Sequence, residues 1–209
     1  ELASNERVVG GIDKRSTEAA FKFYKNIIES KVHKTESKTA EMCKLVENSF
    51  RDTNIAFANE ISLLSDRVGV NPYELIDLAN KHPRVNILEP GPGVGGHCIA
   101  VDPWFLINES EATSKLLITS RKVNESKPKF VLKRLNQEIL RFKEQNKREP
   151  KIAILGISFK PDIDDIRESP SLEIAMNAVK KFKSVYVFDP YQKDNKSIKI
   201  CDEKDIFRC

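Results

Sequence analysis

No apolar run in this 209-residue chain approaches the roughly 20 residues needed to cross a bilayer, so no membrane-spanning helix is expected. The opening stretch, ELASNERVVGG, lacks both the basic start and the apolar core of a signal peptide. Cysteine is sparse: Cys43, Cys98, Cys201 and Cys209 include no C-x-x-C pair and no framework spacing. A reducing cytoplasm with free thiols is therefore expected. A metal site assembled from Cys43, His82, His97 and Cys98 lacks paired-ligand spacing, so no metal is expected. Charge of neither sign is blocked. A net charge of +4, without a basic stripe carrying interleaved aromatics, weakly favours anionic ligands and argues against nucleic acid.

The composition, 40% hydrophobic and 32% charged, belongs to a globular chain with a sizeable core. RVVGGID reads as a strand ending a domain that began earlier. STEAAFKFYKNII has helical periodicity, with Phe21, Tyr24 and Ile28 on one face. Residues 39–68 form the longest helix candidate, ended by GVNP, and PYELIDLANKH is a shorter one. Residues 83–103, rich in glycine and proline, read as irregular. Two helices are expected over 111–126 and 128–147, with Pro128 at a start or a kink. After KREP the pattern changes to strand (KIAILGISF), amphipathic helix (SPSLEIAMNAVKKF) and strand (SVYVFDPY). That is one βαβ unit of a parallel sheet.

The segment GPGVGGHCIAVDPWF gathers the chemistry. Gly91, Gly93 and Gly96 satisfy G-x-G-x-x-G, but that fingerprint needs a helix to open at the turn, and Pro92 and Pro103 oppose one there. No Gly-Lys-Ser/Thr follows, which excludes a P-loop. A reactive thiol remains: the glycines allow a ligand to approach Cys98 closely, and Asp102 stands four residues on. A small buried hydrophobe is the equally ordinary reading of Cys98. On the 39–68 helix, Met42, Val46, Phe50, Thr53, Phe57, Ile61, Leu64 and Val68 form one stripe. Lys44, Asn48 and Arg51 cluster on the opposite face, either as a solvated surface or as donors converging on an anionic centre.

AEMCKLVENSF, HPRVNILEPGPGVGGHCIAVDPWF and LGISFKPDIDDIRESPSLEI, in this order, resemble the UDP-glucose/GDP-mannose dehydrogenase family over essentially the whole chain. The resemblance implies an α/β protein: a helical central dimerisation domain (15–147), preceded by the tail of an NAD-binding domain (1–14). A partial Rossmann-like parallel-sheet domain that binds the UDP-sugar (151–209) would follow. It further implies a cytoplasmic, NAD-dependent, four-electron oxidation of a sugar C6 alcohol to a carboxylate. Ile99-Ala100-Val101 stands where enzymes acting on UDP-glucose carry a lysine. That departure fits the branch acting on UDP-N-acetyl-D-mannosamine, with UDP-GlcNAc and UDP-glucose as alternatives.

By the same resemblance Cys98 is the nucleophile, Lys44 and Asn48 stabilise the oxyanion, and Asp102 orients Lys44 or water. A Lys44 cation near the sulfur would also favour thiolate. Arg51, His82, Arg84, Gly93, Gly95, Phe159 and Lys160 match substrate contacts, Arg84 in the neighbouring subunit's site of a homodimer. Arg167 matches a contact to NAD, and His97 a variable position. The alternative from another class is a silent dimerisation and nucleotide-sugar-binding module.

Overall fold

The computed structural model describes residues 3–193 and 198–206, so Cys209 lies outside the described residues. The chain divides into two compact units, Glu1–Phe50 and Arg51–Cys209.

In the first unit, β1 (Arg7–Gly11) pairs in parallel with β2 (Val32–Glu36), and α1 (Lys14–Lys25) is the crossover between them. Asp13 starts α1 with a capping box: its carboxylate accepts from Ser16 N at 2.7 Å while Asp13 N donates to Ser16 Oγ at 3.1 Å. The helix stops at Lys25, short of Ile28, which is nevertheless buried. Strand β2 (VHKTE) has one apolar residue, and pairing with β1 makes it a strand.

Helix α2 (Ser37–Val68) runs across the division. Its burial inverts the simplest amphipathic reading. Met42, Val46, Phe50, Phe57, Leu64 and Val68 are exposed, whereas Asn48, Asp52 and Asn59 are buried.

In the second unit, Asn71 caps α3 (Pro72–Ala79), accepting from Tyr73 N and Glu74 N with Pro72 in the first turn. The chain is then irregular as far as α4 (Asp102–Glu109). Pro103 lies in the first turn of α4, where its missing N–H costs nothing. The two helices expected over 111–126 and 128–147 are one, α5 (Lys115–Asn146), with Pro128 inside it. Residues 110–114 lie outside any helix.

Strands β3 (Ile152–Leu155) and β4 (Val185–Phe188) pair in parallel, joined through α6 (Pro170–Lys181). Ile157, Ala175, Val187 and Ile198 form the core of this half, with Ile154, Leu172 and Val185 against it. Burial of each Ile or Val contributes about 1.5–3 kcal/mol. A short α7 (Glu203–Ile206) follows, unannounced by any pattern in the sequence. Ser169 ties α6 to the sheet, since its Oγ accepts from Leu172 N and donates to the Ile157 carbonyl at 2.7 Å.

Candidate active site

The glycine-rich segment is a loop held against the turn that precedes α6. Gly96 N donates to the Arg167 carbonyl at 3.0 Å. A Cβ at Gly95 would lie 2.5 Å from the Glu168 carbonyl and 2.7 Å from Phe159 Cβ, so only glycine permits this approach. No helix opens after Gly96, and the G-x-G-x-x-G match is accidental in structural terms. The loop delivers Cys98 half-buried and unpaired by any disulfide, neither sealed in the core nor fully exposed. Asp102 sits one turn later, its N–H donating to the Cys98 carbonyl at 2.8 Å, and is the first residue of α4.

Beside this loop stands a guanidinium held in a fixed direction. Arg167 Nε donates to Asp165 Oδ1 at 3.0 Å and to Oδ2 at 3.1 Å, while Nη2 donates to Oδ2 at 2.6 Å. The side-chain hydrogen bonds from Arg167, joined by its backbone N–H, hold the Asp165 carboxyl down at about 2, with a smaller pull from His97. Arg167 is itself raised, by Asp165 first and in small part by Cys98. Sequence reasoning assigns the cation beside the thiol to Lys44; in the second unit the cysteine loop touches the turn that carries Arg167, through the Arg167 carbonyl.

A cleft of about 410 Å³ opens at the carboxyl ends of β3 and β4, where ligands of parallel sheets bind. Phe159, Lys160, Asp189 and Tyr191 line it, together with Pro92 from the cysteine loop. Asp189, which sequence reasoning overlooked, shapes one wall. Its Oδ2 accepts from Ile157 N at 2.8 Å and Ser158 N at 3.2 Å, and its Oδ1 from Tyr191 N at 2.9 Å. Burial pushes the Asp189 carboxyl up, but these N–H donors outweigh it and hold it below the ordinary carboxylate value. A buried Asp immediately after a strand, before Pro190, is the signal that could have found it.

The remaining residues divide by unit. In the first, Lys44 and Asn48 are neighbours on α2, Lys44 Nζ donating to Asn48 Oδ1 at 3.3 Å, with Asn48 buried and Lys44 exposed. Arg51, the first residue of the second unit, is exposed. His82 and Arg84 occupy an exposed turn after α3, where Arg84 N donates to His82 Nδ1 at 3.3 Å. Within the second unit the loop of Gly93, Gly95 and Cys98 meets the turn of Phe159 and Arg167, Lys160 lines the cleft there, and Asp102 follows at the start of α4. Among the described residues no group of three or more His, Cys, Asp or Glu could hold a metal ion. No described helix is long and apolar enough to cross a membrane.

The profile of the UDP-glucose/GDP-mannose dehydrogenase family central domain matches residues 38–126, and that of the family's UDP binding domain matches residues 153–206. An NDP-N-acetyl-D-galactosaminuronic acid dehydrogenase from Ralstonia nicotianae is 51% identical over 92% of this chain and 45% of its own length. A UDP-N-acetyl-D-mannosamine dehydrogenase from Campylobacter jejuni is 49% identical over 91% of the chain and 46% of its own. The structure of a UDP-D-ManNAc dehydrogenase from Pyrococcus horikoshii superposes with a TM-score of 0.84 at 42% identity, covering 91% of this chain and 46% of that one. The chain spans about half the length of the curated relatives it matches. It belongs to the UDP-glucose/GDP-mannose dehydrogenase family.

Proposed function

We propose that this chain supplies the nucleophile and the nucleotide-sugar site of an NAD-dependent dehydrogenase. That enzyme would oxidise UDP-N-acetyl-D-mannosamine at C6 to the uronate. The observation that carries this reading is the closure of the Cys98 loop on the Phe159–Arg167 turn, through the Gly96 N–H to the Arg167 carbonyl and the close approach of Gly95 to Phe159 and Glu168. Arg167, oriented by Asp165 and exposed at its surface, suits a phosphate-bearing cofactor. Two molecules of NAD, bound in turn, would each accept one of the two hydrides that a four-electron oxidation releases.

Each residue then has a task. The Cys98 thiolate adds to the C6 aldehyde carbon: a C–S bond forms and the carbonyl π pair moves onto oxygen. Lys44 and Asn48 donate to that oxygen and stabilise its charge. Asp102 orients Lys44 or the water that finally hydrolyses the thioester, returning the sulfur as thiolate. Phe159 and Lys160 hold the nucleotide in the cleft, Gly93 and Gly95 admit the sugar, and Arg51 and His82 contact it from the side. Arg84 reaches the neighbouring subunit's site in a homodimer. The unpaired thiols Cys43, Cys98 and Cys201 are in keeping with a cytoplasmic setting.

The test is Cys98→Ser in the natural polypeptide. The wild type is expected to produce two NADH per sugar, and the variant none beyond the aldehyde stage. Two NADH per sugar from the variant would remove Cys98 from the mechanism.

A second reading is favoured by the span of about half its relatives' length. The 209-residue chain by itself would be a dimerising, UDP-sugar-binding module without turnover. UDP-sugar binding without NADH formation is its signature, and NADH formation by this chain would exclude it. The relatives are named for N-acetylmannosamine and for N-acetylgalactosaminuronic acid, so titration with both N-acetylated UDP-sugars and UDP-glucose decides the substrate.

A further inference from the structure

Four polar side chains meet in the interior of the second unit where α2 and α5 face each other: Asn59 is 0% exposed, Asp52 and Asn124 1%, and Arg121 4%. Burying such groups is costly unless each finds a partner. They are linked in series. Arg121 Nη1 donates to Asp52 Oδ1 at 2.7 Å. Asn124 Nδ2 donates to the same oxygen at 2.8 Å and to the Asp52 carbonyl at 3.0 Å. Asn59 Nδ2 donates to Asn124 Oδ1 at 2.9 Å, and Asn59 Oδ1 accepts from Gly91 N at 2.8 Å.

The series has a fixed direction. A carboxylate oxygen at one end only accepts, and a backbone N–H at the other only donates. The two carboxamides between them satisfy both ends in a single orientation. Reversal would set oxygen against oxygen at Asp52 and N–H against N–H at Gly91. Protonation leaves this unchanged. Burial pushes the Asp52 carboxyl up, against the pull of Arg121 and Asn124. A proton taken up there goes to Oδ2, which has no hydrogen-bond partner, so Oδ1 still accepts.

Asn124 addresses the cysteine loop a second time. Pro128, four residues on, has no N–H, so the Asn124 carbonyl is left outside the helical ladder. Gly93 lies against that oxygen: a Cβ there would come within 3.1 Å of it and 3.0 Å of Pro170 Cβ. The loop is thus held at Gly91, Gly93 and Gly96, and Cys98 follows two residues later. Apolar side chains would fill this seam without the desolvation cost, but would exert no directional hold on Gly91.

We propose that Asp52, Asn124 and Asn59 form a one-way hydrogen-bond relay that fixes the cysteine loop, making them positioning residues for Cys98. The proposal rests on Cys98 being the nucleophile, and its test reads the loop rather than turnover.

Asn124→Leu keeps side-chain size but removes the donor to Asp52 and the acceptor for Asn59, and Asn59→Asp sets oxygen against Asn124 Oδ1, so the two break the relay at successive links. In the 209-residue chain, iodoacetamide alkylation is followed from pH 6 to 9 by peptide mass spectrometry, with Cys201 as internal reference. Each variant is expected to change the Cys98 rate about fivefold or more and to shift its pH profile, with Cys201 within about twofold. The double variant should go no further than Asn59→Asp alone, because one broken link releases the whole relay. An unchanged Cys98 profile in a folded variant, equal changes at both cysteines, or additive effects would overturn the proposal. A measurement on the unsubstituted chain stands beside these: the Gly91 amide should exchange with solvent about a hundredfold or more slower than an unstructured amide. Exchange at the unstructured rate would overturn the relay whatever the variants do. Normal two-NADH turnover by Cys98→Ser would instead remove the nucleophile and leave the loop's response intact, so the two failures are separable.

Discussion

Arg167 stands on the turn that the cysteine loop contacts, and Asp165 fixes its direction through Nε, Nη2 and the backbone N–H. The pair is solvent-facing, so its value lies in direction rather than in stability. Its pH dependence follows from the sign of the shift. The Asp165 pKa is depressed to about 2 from an unfolded value of about 3.9, so the contact is fully present above pH 4. It weakens only as the pH falls towards 2. Carboxyl chemical shifts of Asp165 are expected to titrate with a midpoint near 2; a midpoint near 4 would mean that Arg167 is not held as described. Cys98 and Asp102 were legible in the sequence because their chemistry is local, four residues apart in a glycine-rich setting. Asp52, Asn59 and Asn124 left no local signal, since their partners lie 32 to 72 residues away in the chain.

Among the elements, α2 departs most from expectation. Its apolar stripe faces outward, with Phe50 66% and Val68 73% exposed, while its buried face carries the polar residues of the relay. Periodicity identifies a stripe but not what covers it. Exposed apolar side chains in such a row are the kind of surface that a partner covers, and Trp104 and Phe105 of α4 are likewise exposed. A second copy of this chain is the occupant the family resemblance supplies. Phe57→Glu with Leu64→Glu is expected to shift a dimeric chain to monomer in sedimentation velocity, with helix content unchanged. A dimer that persists unchanged in that variant would place the interface elsewhere. Proline explains the other departures. Pro103 reads as a breaker but occupies a first turn, where proline is tolerated. Pro128 reads as a helix start or a kink, and α5 runs through it with Pro128 buried. The strands β3 and β4 were legible as short apolar runs with buried residues, whereas VHKTE of β2 has too little apolar content to announce itself.

At the scale of the whole molecule, the candidate residues are divided between the two compact units: Lys44 and Asn48 stand in the first, and Cys98, Asp102, Arg167 and the cleft at the ends of β3 and β4 in the second. Three sequence motifs far apart in the chain carry this division, which is why the family was legible before the geometry. The central claim is that the Cys98 sulfur bonds covalently to the sugar's C6. It is tested most directly by acid-quenching the natural polypeptide during turnover of UDP-N-acetyl-D-mannosamine with NAD and mapping the Cys98 peptide by mass spectrometry. A thioester-linked sugar nucleotide on Cys98, absent without NAD, is the predicted result. Full turnover with the Cys98 peptide unmodified at every quench time would contradict it.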